Sequence, residues 1–306
     1  MIKGEIIMRK IKLFTHTDLD GVGCEIVSKV IFGKNNVDCE LHNYDTINIR
    51  INEFIKNREY KQYRYVFITD ISVNEEIANL IDNTCANIVI LLDHHKTALH
   101  LNKYKWAKVE LEGKTELTSG TELLLLDFNY GDRKVLNNWV ENIKRWDTWL
   151  WSTKYNDILP KQLNDLYYLL GRDVFVEKAL NCIYNEILVG DFILQHTSIL
   201  NMKQKQIEDY IKSKNKSLIK ITDDKHKIGI VFADKYHSEL GNELSKLNRD
   251  CDYIMIIDGK LVNLRTIKDN VDCGKIAKEH NGGGHPKAAG FIIDEDKILG
   301  FIKNIL

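Results

Sequence analysis

Three apolar stretches of this chain each end in acidic or histidine residues, and this repeated pattern limits the folds that the chain can adopt. The stretches are KLFTHTDLDG at 12–21, YVFITD at 65–70 and IVILLDHH at 88–95. Each has the length and apolar content of a buried β-strand. If the strands are parallel neighbours, their carboxyl ends lie at one edge of the sheet, where open α/β sheets bind ligands. The side chains that we expect to meet there are His16, Asp18, Asp20, Asp70, Asp93, His94 and His95.

Four aspartates at one sheet edge would repel one another unless protons or cations neutralised them. A ligand set of mostly carboxylates with some imidazoles favours Mn²⁺ or Mg²⁺ over metals that prefer thiolates. All six cysteines lie outside the three stretches. We therefore predict two divalent cations, with Mn²⁺ preferred and Mg²⁺ or Co²⁺ as alternatives. For any one residue alone, a helix cap or a hydrogen-bonded core position would be the simpler interpretation.

The chain between and after these strands alternates with helical patterns. Apolar residues recur at helical spacing in 21–32, and 75–82 predicts a crossover helix. This βαβ alternation predicts an α/β fold with a mostly parallel sheet flanked by helices. Further helices are predicted over 118–131 and 134–151, followed by a long one over about 187–212.

The pattern changes after the polar run KSKNKS at 212–217, where we place a domain boundary. The predicted strands beyond it are 227–234, 252–258 and 261–267, with a short helix over 273–281. The pair Asp258-Gly259 predicts a two-residue hairpin turn. We therefore predict a catalytic metal-binding domain over 1–190, a helical linker over 191–216 and a smaller α+β substrate-binding domain over 217–306, with the active site in the cleft between the domains.

A second signal lies in the smaller domain, where Gly282, Gly283 and Gly284 precede His285 and a proline. Three consecutive glycines are unfavourable in a helix or strand because each loses much backbone entropy on folding. A bound phosphate would explain them, since glycine amides can surround an anion and His285 and Arg265 can add cationic donors. A surface loop without a ligand is the alternative.

Composition excludes several classes of protein. The 306 residues include 43 Lys and Arg against 44 Asp and Glu, so no overall basic charge favours long duplex nucleic acid. The cysteines form no CxxC pair, and no apolar stretch reaches the ~20 residues that span a bilayer. We predict a cytoplasmic protein with reduced thiols and no membrane partner, and a homodimer is left open.

The motifs together resemble the DHH phosphoesterases that carry a DHH-associated C-terminal domain. The matching segments are HTDLDG at 16–21, TD at 69–70, DHH at 93–95, Asp147 within RWDTW, and GGGHPKAAGF at 282–291. Within that family, the segments SGTELL, RWDTWLW and LNDLYYLLGRDVF are most similar to the NrnB-type oligoribonucleases, which degrade very short RNA.

The resemblance also implies roles for single residues. One metal ion would be held by His16, Asp18 and Asp70, and the other by Asp20, Asp70, His94 and Asp147. Asp70 would then bridge the two ions, while Asp93 and His95 would support the ligands or contact the phosphate. His16 stands two residues before Asp18, a spacing that resembles the RecJ-like branch of the family.

These roles predict a phosphodiesterase with two metal ions about 3.5 to 4 Å apart. Its expected substrates are short single-stranded RNA or dinucleotides, and its expected products are nucleoside 5′-monophosphates. Arg265, the glycine amides and His285 would bind substrate phosphate. A cyclic-dinucleotide or 3′,5′-bisphosphonucleotide phosphoesterase is the main alternative, followed by a RecJ-like exonuclease on single-stranded DNA. A pyrophosphatase and a catalytically silent scaffold are less favoured, because the chain keeps the GGGH segment and every acidic motif residue.

Several aromatic residues near the fourth motif have two interpretations. They are Trp146, Trp149, Trp151, Tyr167 and Tyr168. Such rings can stack on nucleobases, with about 1 to 3 kcal/mol per base. Their helical spacing is more typical of a hydrophobic core, and core positions are therefore what we predict.

Overall fold

The computed structural model describes residues 10–113, 116–128, 130 and 133–296. The chain divides into two compact units between Leu200 and Asn201. Within the described residues, no helix is both long and apolar enough to cross a membrane.

The first unit alternates strands and helices and then becomes helical. Its strands are β1 (Lys10–His16), β2 (Val37–His42), β3 (Tyr63–Thr69), β4 (Val89–Asp93) and β5 (Ala107–Val109). Its first helices are α1 (Leu19–Phe32), α2 (Ile47–Lys56), α3 (Glu75–Thr84), α4 (Gly120–Asp127) and α5 (Lys134–Asp147). They are followed by α6 (Leu150–Thr153), α7 (Leu159–Leu170), α8 (Arg172–Tyr184), α9 (Val189–Gln195) and α10 (Thr197–Lys216), the last of which continues past the division.

The five strands form one parallel sheet, as the βαβ alternation predicted, and their order is β2-β1-β3-β4-β5. Side chains alternate between its faces, so Leu13, Phe67 and Leu92 enter one buried core and Phe14 and Ile68 enter another. Both faces are therefore covered, as is usual for parallel sheets. The register pairs Thr15 with Thr69, and Thr69 with Leu92. The carboxyl ends of β1, β3 and β4 consequently lie side by side.

Two predicted helices differ from the structure. The single helix expected over about 187–212 is wrong, because α9 and α10 are separate and the chain leaves helical geometry at His196. The polar run at 212–217 is helical up to Lys216, since Lys and Asn residues on an exposed helix face keep their side chains in water. The helix expected over 134–151 also breaks into α5 and α6 around Trp149.

The second unit contains a six-stranded mixed sheet in the order β10-β11-β9-β8-β7-β6. The strands are β6 (Ile219–Thr222), β7 (Lys227–Phe232), β8 (Tyr253–Asp258), β9 (Leu261–Arg265), β10 (Gly283–His285) and β11 (Ala288–Ile292). The helices are α11 (His237–Leu247) and α12 (Cys273–Lys278). Two buried clusters cover the sheet; Leu240 of α11 belongs to one and Ala277 of α12 to the other.

Two details of the second unit correct the sequence predictions. The hairpin turn between β8 and β9 consists of Gly259 and Lys260, because Asp258 pairs with Leu261 as the last strand residue and Gly259 takes the positive φ of +55°. The glycine segment is also part of the sheet, since β10 pairs with β11 over Gly283–His285. Glycine is compatible with this strand because the two backbones approach closely.

Candidate active site

The predicted acidic and histidine side chains meet at the carboxyl edge of the parallel sheet. His16 ends β1, Asp70 follows β3 and Asp93 ends β4. Asp147, the last residue of α5, joins them from outside the sheet. The donor atoms form three groups, each within 4.8 Å: His16, Asp18 and Asp70; Asp20, His94 and Asp147; and Asp70, Asp93, His94 and His95.

The first group joins His16 and Asp18 to Asp70. His16 Nδ1 lies 2.8 Å from Asp18 Oδ2 and 4.0 Å from Asp70 Oδ2. Asp18 also caps helix α1, because its Oδ1 accepts a hydrogen bond from the amide of Gly21 at 3.0 Å. A Cβ atom on Gly21 would lie 2.1 Å from the carbonyl oxygen of His16. The glycine of the HTDLDG segment therefore allows α1 to begin directly behind the site.

The second group surrounds the imidazole of His94. Its Nε2 lies 3.1 Å from Asp70 Oδ1, 3.4 Å from Asp147 Oδ2 and 3.7 Å from Asp20 Oδ2. Asp70 thus turns its Oδ1 towards His94 and its Oδ2 towards His16. One carboxylate with an oxygen facing each group has the arrangement of a bridging ligand.

Asp20 is held by the first turn of helix α4, a contact that sequence reasoning missed. The amides of Gly120 and Thr121 donate to the two carboxylate oxygens of Asp20 at 2.6 and 3.1 Å. A Cβ atom on Gly120 would lie 2.7 Å from Asp70 Cβ and 3.1 Å from Asp20 Oδ2. The segment SGT therefore has a local function, and its small residues after a capping serine were the signal for it.

Asp93 positions the two histidines that follow it. Its Oδ1 accepts hydrogen bonds from the amides of His94 and His95 at 2.8 and 3.3 Å, and it lies 2.7 Å from His95 Nδ1. This hydrogen bond raises the pKa of His95, whereas burial lowers the pKa of His94. A neutral His94 imidazole is the form that binds a metal ion.

Asp70 is the most unusual residue of the site. It is buried, and its φ of +56° lies in the left-handed region, which is uncommon for a residue other than glycine. Its amide donates to the carbonyl of Leu92 at 3.0 Å. Its Oδ2 and Asp93 Oδ2 are buried without a hydrogen-bond partner among the described residues. Buried carboxylate oxygens of this kind are costly unless a cation contacts them.

Burial and neighbouring carboxylates raise the pKa of two of the aspartates, Asp70 and Asp147. Burial raises the pKa of Asp70 well above its usual range, and the charges of Asp20 and Asp18 raise it further. Burial, with the charges of Asp20 and Asp18, raises the pKa of Asp147 to about 8. A bound cation would reverse this tendency and keep the acids ionised. The donor set, the burial and the orphaned oxygens therefore fit a divalent metal ion.

Aromatic rings surround the donor groups, and their predicted core positions are only partly correct. Tyr167 is buried and its hydroxyl donates to the carbonyl of Thr17 at 2.6 Å. Trp149 and Tyr168, in contrast, leave 57% and 62% of their surface exposed. Trp146 and Trp151 are half-buried.

Tyr44 is a neighbour of the site that sequence reasoning did not identify. Its ring centroid lies 5.6 Å from that of His16 and 6.2 Å from that of His95. Burial raises the pKa of its hydroxyl, and the charge of Asp93 raises it further. The signal was its place after β2, the strand beside β1.

The predicted substrate residues of the second unit share one face of its sheet. Arg265 and His285 both pair with Ala288, so they project from the same face on strands about 10 Å apart. Arg265 is half-buried, which lowers its pKa, and its Nη2 lies 3.4 Å from the hydroxyl of Ser238. Asn263, two residues before Arg265, has a buried side-chain amide nitrogen without a partner among the described residues. Sequence reasoning missed both Ser238 and Asn263.

The glycines beside His285 have a structural reason of their own. A Cβ atom on Gly282 would lie 2.2 Å from the carbonyl oxygen of Gly290, and one on Gly284 would lie 2.5 Å from Ala289 Cα. Gly284 also has a φ of +139°. Around Gly283, in contrast, a Cβ atom would meet no atom of the described residues within 4 Å. Close packing of β10 on β11 thus explains two of the three glycines without a ligand.

Comparisons with known proteins address the family. A family model described as the DHHA1 domain matches residues 226–306. The oligoribonuclease NrnB of Bacillus subtilis (strain 168) is 38% identical to this chain over 296 residues, which cover 93% of this chain and 73% of the relative. The chain belongs to the DHH phosphoesterase family. Membership identifies this DHH protein as a metal-dependent hydrolase and confirms the resemblance seen in its motifs.

Solved structures with low identity confirm the fold of this DHH protein. The pGpG-specific phosphodiesterase PggH of Vibrio cholerae matches with a TM-score of 0.51 and 14% identity, and the match covers 97% of each chain. The exonuclease RecJ of Thermus thermophilus, in complex with Mn²⁺, matches with a TM-score of 0.51 and 13% identity. That match covers 97% of this DHH protein and 51% of RecJ.

Proposed function

We propose that this protein hydrolyses very short RNA to nucleoside 5′-monophosphates and that it uses two divalent cations for this reaction. Mn²⁺ is the preferred metal. The observation that carries the proposal is the placement of Asp70, whose two oxygens face two separate donor groups. The family relative NrnB is named as an oligoribonuclease and matches over most of the chain.

The two donor groups would hold one ion each. His16, Asp18 and Asp70 form the first set. Asp20, His94 and Asp147 form the second, and Asp70 joins it because its Oδ1 lies 3.1 Å from His94 Nε2. Two bound divalent ions would lower the pKa of a water molecule and stabilise the charge that develops on the phosphate. Groups of the chain itself place these ligands: the backbone amides of Gly120 and Thr121 hold Asp20, and the carboxylate of Asp93 orients His94 and His95.

His95 is suited to contact the substrate. Its hydrogen bond to Asp93 raises its pKa, which favours the protonated, cationic form. We propose that His95 donates a hydrogen bond to a phosphate oxygen. Because Asp93 fixes Nδ1 of the ring, Nε2 is the atom left to donate.

The second unit would supply further phosphate donors. We propose that Arg265 and His285 bind substrate phosphate, together with the unpartnered amide of Asn263 and the amide of Gly283. Their common face and the open space around Gly283 support this proposal. The location of the reaction in a cleft between the domains, a homodimer and the cytoplasmic location stay predictions.

A time course with Mn²⁺ tests the function. The substrates are 5′-labelled RNAs of two to seven nucleotides, matched DNA, cyclic dinucleotides and 3′,5′-bisphosphoadenosine. We expect the shortest RNAs to disappear fastest, with 5′-monophosphates as products. Preference for a cyclic or bisphosphorylated substrate would keep the metal chemistry and replace the proposed substrate.

Two variants provide the controls for that experiment. Asp70→Ala is expected to abolish turnover because both donor groups lose a ligand. Asp224→Asn changes an exposed aspartate of the second unit and should retain full activity. Turnover that persists in Asp70→Ala would contradict the two-metal assignment.

A further inference from the structure

Three tryptophans lie together beside the donor groups of the first unit. The ring centroids of Trp146, Trp149 and Trp151 are 5.4 to 5.8 Å apart. Trp146 directly precedes the candidate ligand Asp147 in the chain. Trp149 is 57% exposed, although tryptophan is highly buried on average in folded proteins.

The backbone holds Trp149 in an unusual conformation. It separates α5 from α6 and has a φ of +63°, which is an outlier for a bulky residue. Its amide donates to the carbonyl of Trp146 at 3.1 Å, and its own carbonyl accepts from the amides of Ser152 and Thr153 at 3.1 and 3.2 Å. The turn is therefore fixed on both sides, and its result is an exposed indole ring next to the site.

The exposed rings and the donor groups share one cavity. Trp146 and Trp149 line a space of about 640 Å³ whose wall also includes His94, His95 and Asp147. Its volume falls within the ~300 to 1,000 Å³ that is usual for small-ligand sites. Lys96 adds a cationic side chain to the same wall. An apolar ring surface thus continues directly into a surface suited to phosphate.

We propose that Trp149, supported by Trp146, stacks on a nucleobase of the substrate whose phosphate lies at the donor groups. This inference rests on the proposed function and names the part of the substrate that the cavity recognises. An indole face binds every base, because each base has a π-face. The continuity with His94, His95 and Asp147 selects a nucleotide, since an apolar peptide would leave these polar groups without partners.

A binding measurement tests the stacking without the need for turnover. Isothermal titration in the presence of Mn²⁺ compares adenosine 5′-monophosphate with ribose 5-phosphate, which lacks the base. We expect the nucleotide to bind the unaltered protein at least about five-fold more tightly, the lower end of measured stacking contributions. Trp149→Asn should remove this difference, because asparagine tolerates the left-handed backbone but offers no ring. Trp149→Phe should restore most of it.

A matched control is Tyr184→Ala, which removes an aromatic ring that is 55% exposed and lies outside this cavity. It should leave the preference for the nucleotide unchanged. Equal affinity of the two ligands in the unaltered protein, or a preference that survives in Trp149→Asn, would overturn the inference. The inference would also be overturned if light scattering showed that Trp149→Asn dissociates a dimer while its affinity for the nucleotide is unchanged.

The RNA time course, run on the same preparations, separates the two proposals. Hydrolysis of short RNA without a preference for the nucleotide would retain the proposed function and refute the stacking site. A preference that depends on Trp149, found without hydrolysis of any RNA, would support the stacking site and refute the proposed function.

Discussion

Asp147 reaches the donor groups from the end of helix α5, whereas Asp20 lies in the first turn of α1 and the other candidate ligands lie at or just after the ends of strands. Lys144, a buried residue in the same last turn, connects this end of α5 to α4. Lys144 Nζ lies 3.0 Å from Glu122 of α4 and 2.8 Å from Glu141 of α5. Because α4 also holds Asp20, this ion pair couples the positions of two candidate ligands.

Metal binding should depend on pH through Asp147. Burial and neighbouring acids raise its pKa to about 8, so a metal ion must displace a proton below that pH. For one displaced proton with a pKa of about 8, we expect the apparent affinity for Mn²⁺ to rise about nine-fold from pH 6 to 7 and about five-fold from pH 7 to 8. Titration calorimetry at pH 6, 7 and 8 measures this pH dependence. Asp147→Asn should make it shallower, because the pKa of Asp70 is also raised and still contributes.

The raised pKa of Asp147 gives the stability of the metal-free protein the opposite pH dependence: metal affinity rises with pH, whereas this contribution to stability falls. A raised pKa means that the folded state binds this proton more tightly than the unfolded state does. The contribution to the free energy of unfolding is therefore complete below about pH 4, the usual pKa of aspartate, and is lost as the pH rises through about 8. Metal-free stability that increased over this range would contradict the assignment.

At the scale of elements, the first turn of α4 determines the geometry of the site. Gly120→Ala should displace this turn, since its Cβ atom would lie 2.7 Å from Asp70 Cβ. We expect at least about a ten-fold loss of kcat/KM and weaker Mn²⁺ binding, because displacements near 1 Å at a catalytic site have effects of this size or larger. Steady-state kinetics and calorimetry provide the two measurements.

Gly190→Ala is the matched control for Gly120→Ala. Gly190 also lies in the first turn of a helix, α9, but among the described residues its added Cβ atom would meet only Leu159 Cδ1, at 3.9 Å. Alanine is favoured over glycine in helices by about 1 kcal/mol, so the variant should be as stable as the parent or slightly more so. Equal activity of Gly120→Ala and Gly190→Ala would show that α4 does not position Asp20.

The strand β10 offers a second pair of matched substitutions. Gly284→Ala should lower the free energy of unfolding by about 1 to 3 kcal/mol, because of its positive φ and the contact with Ala289. Gly283→Ala should change it by less than about 0.5 kcal/mol. Chemical denaturation of both variants measures the difference. If Gly283→Ala also raises KM, its amide contacts substrate; an unchanged KM would leave strand packing as the reason for the segment.

At the scale of the whole molecule, we expect the two units to affect different kinetic constants. Arg265→Ala removes a cationic donor from the second unit and should raise KM about ten-fold or more, since hydrogen bonds to charged groups contribute about 1.5 to 3 kcal/mol. Affinity for Mn²⁺ and kcat should stay within about two-fold. The exposed Lys275→Ala serves as the control. A fall in Mn²⁺ affinity in Arg265→Ala would contradict this division.

Much of the first unit follows from local sequence. Strands β1, β3 and β4 are apolar runs that end in or directly precede acidic or histidine residues, and α3 has clear helical periodicity. Predictions were wrong where the backbone changes direction within a polar or aromatic segment. The break at His196 is one case, and the position of Gly259 in the hairpin is another. Local patterns record burial, and burial alone does not fix the residue at which a helix breaks or a strand ends.

The sequence by itself determined which chemical groups the site contains, because parallel strands bring the residues at their carboxyl ends to one edge. Only the tertiary structure decided how these groups are arranged. The order β1-β3-β4 places Asp70 between His16 and His94, and α4 holds Asp20. The tertiary structure also decided that the side chain of Trp149 is exposed. Contacts between segments far apart in the chain depend on packing, which residue identity and spacing do not encode locally.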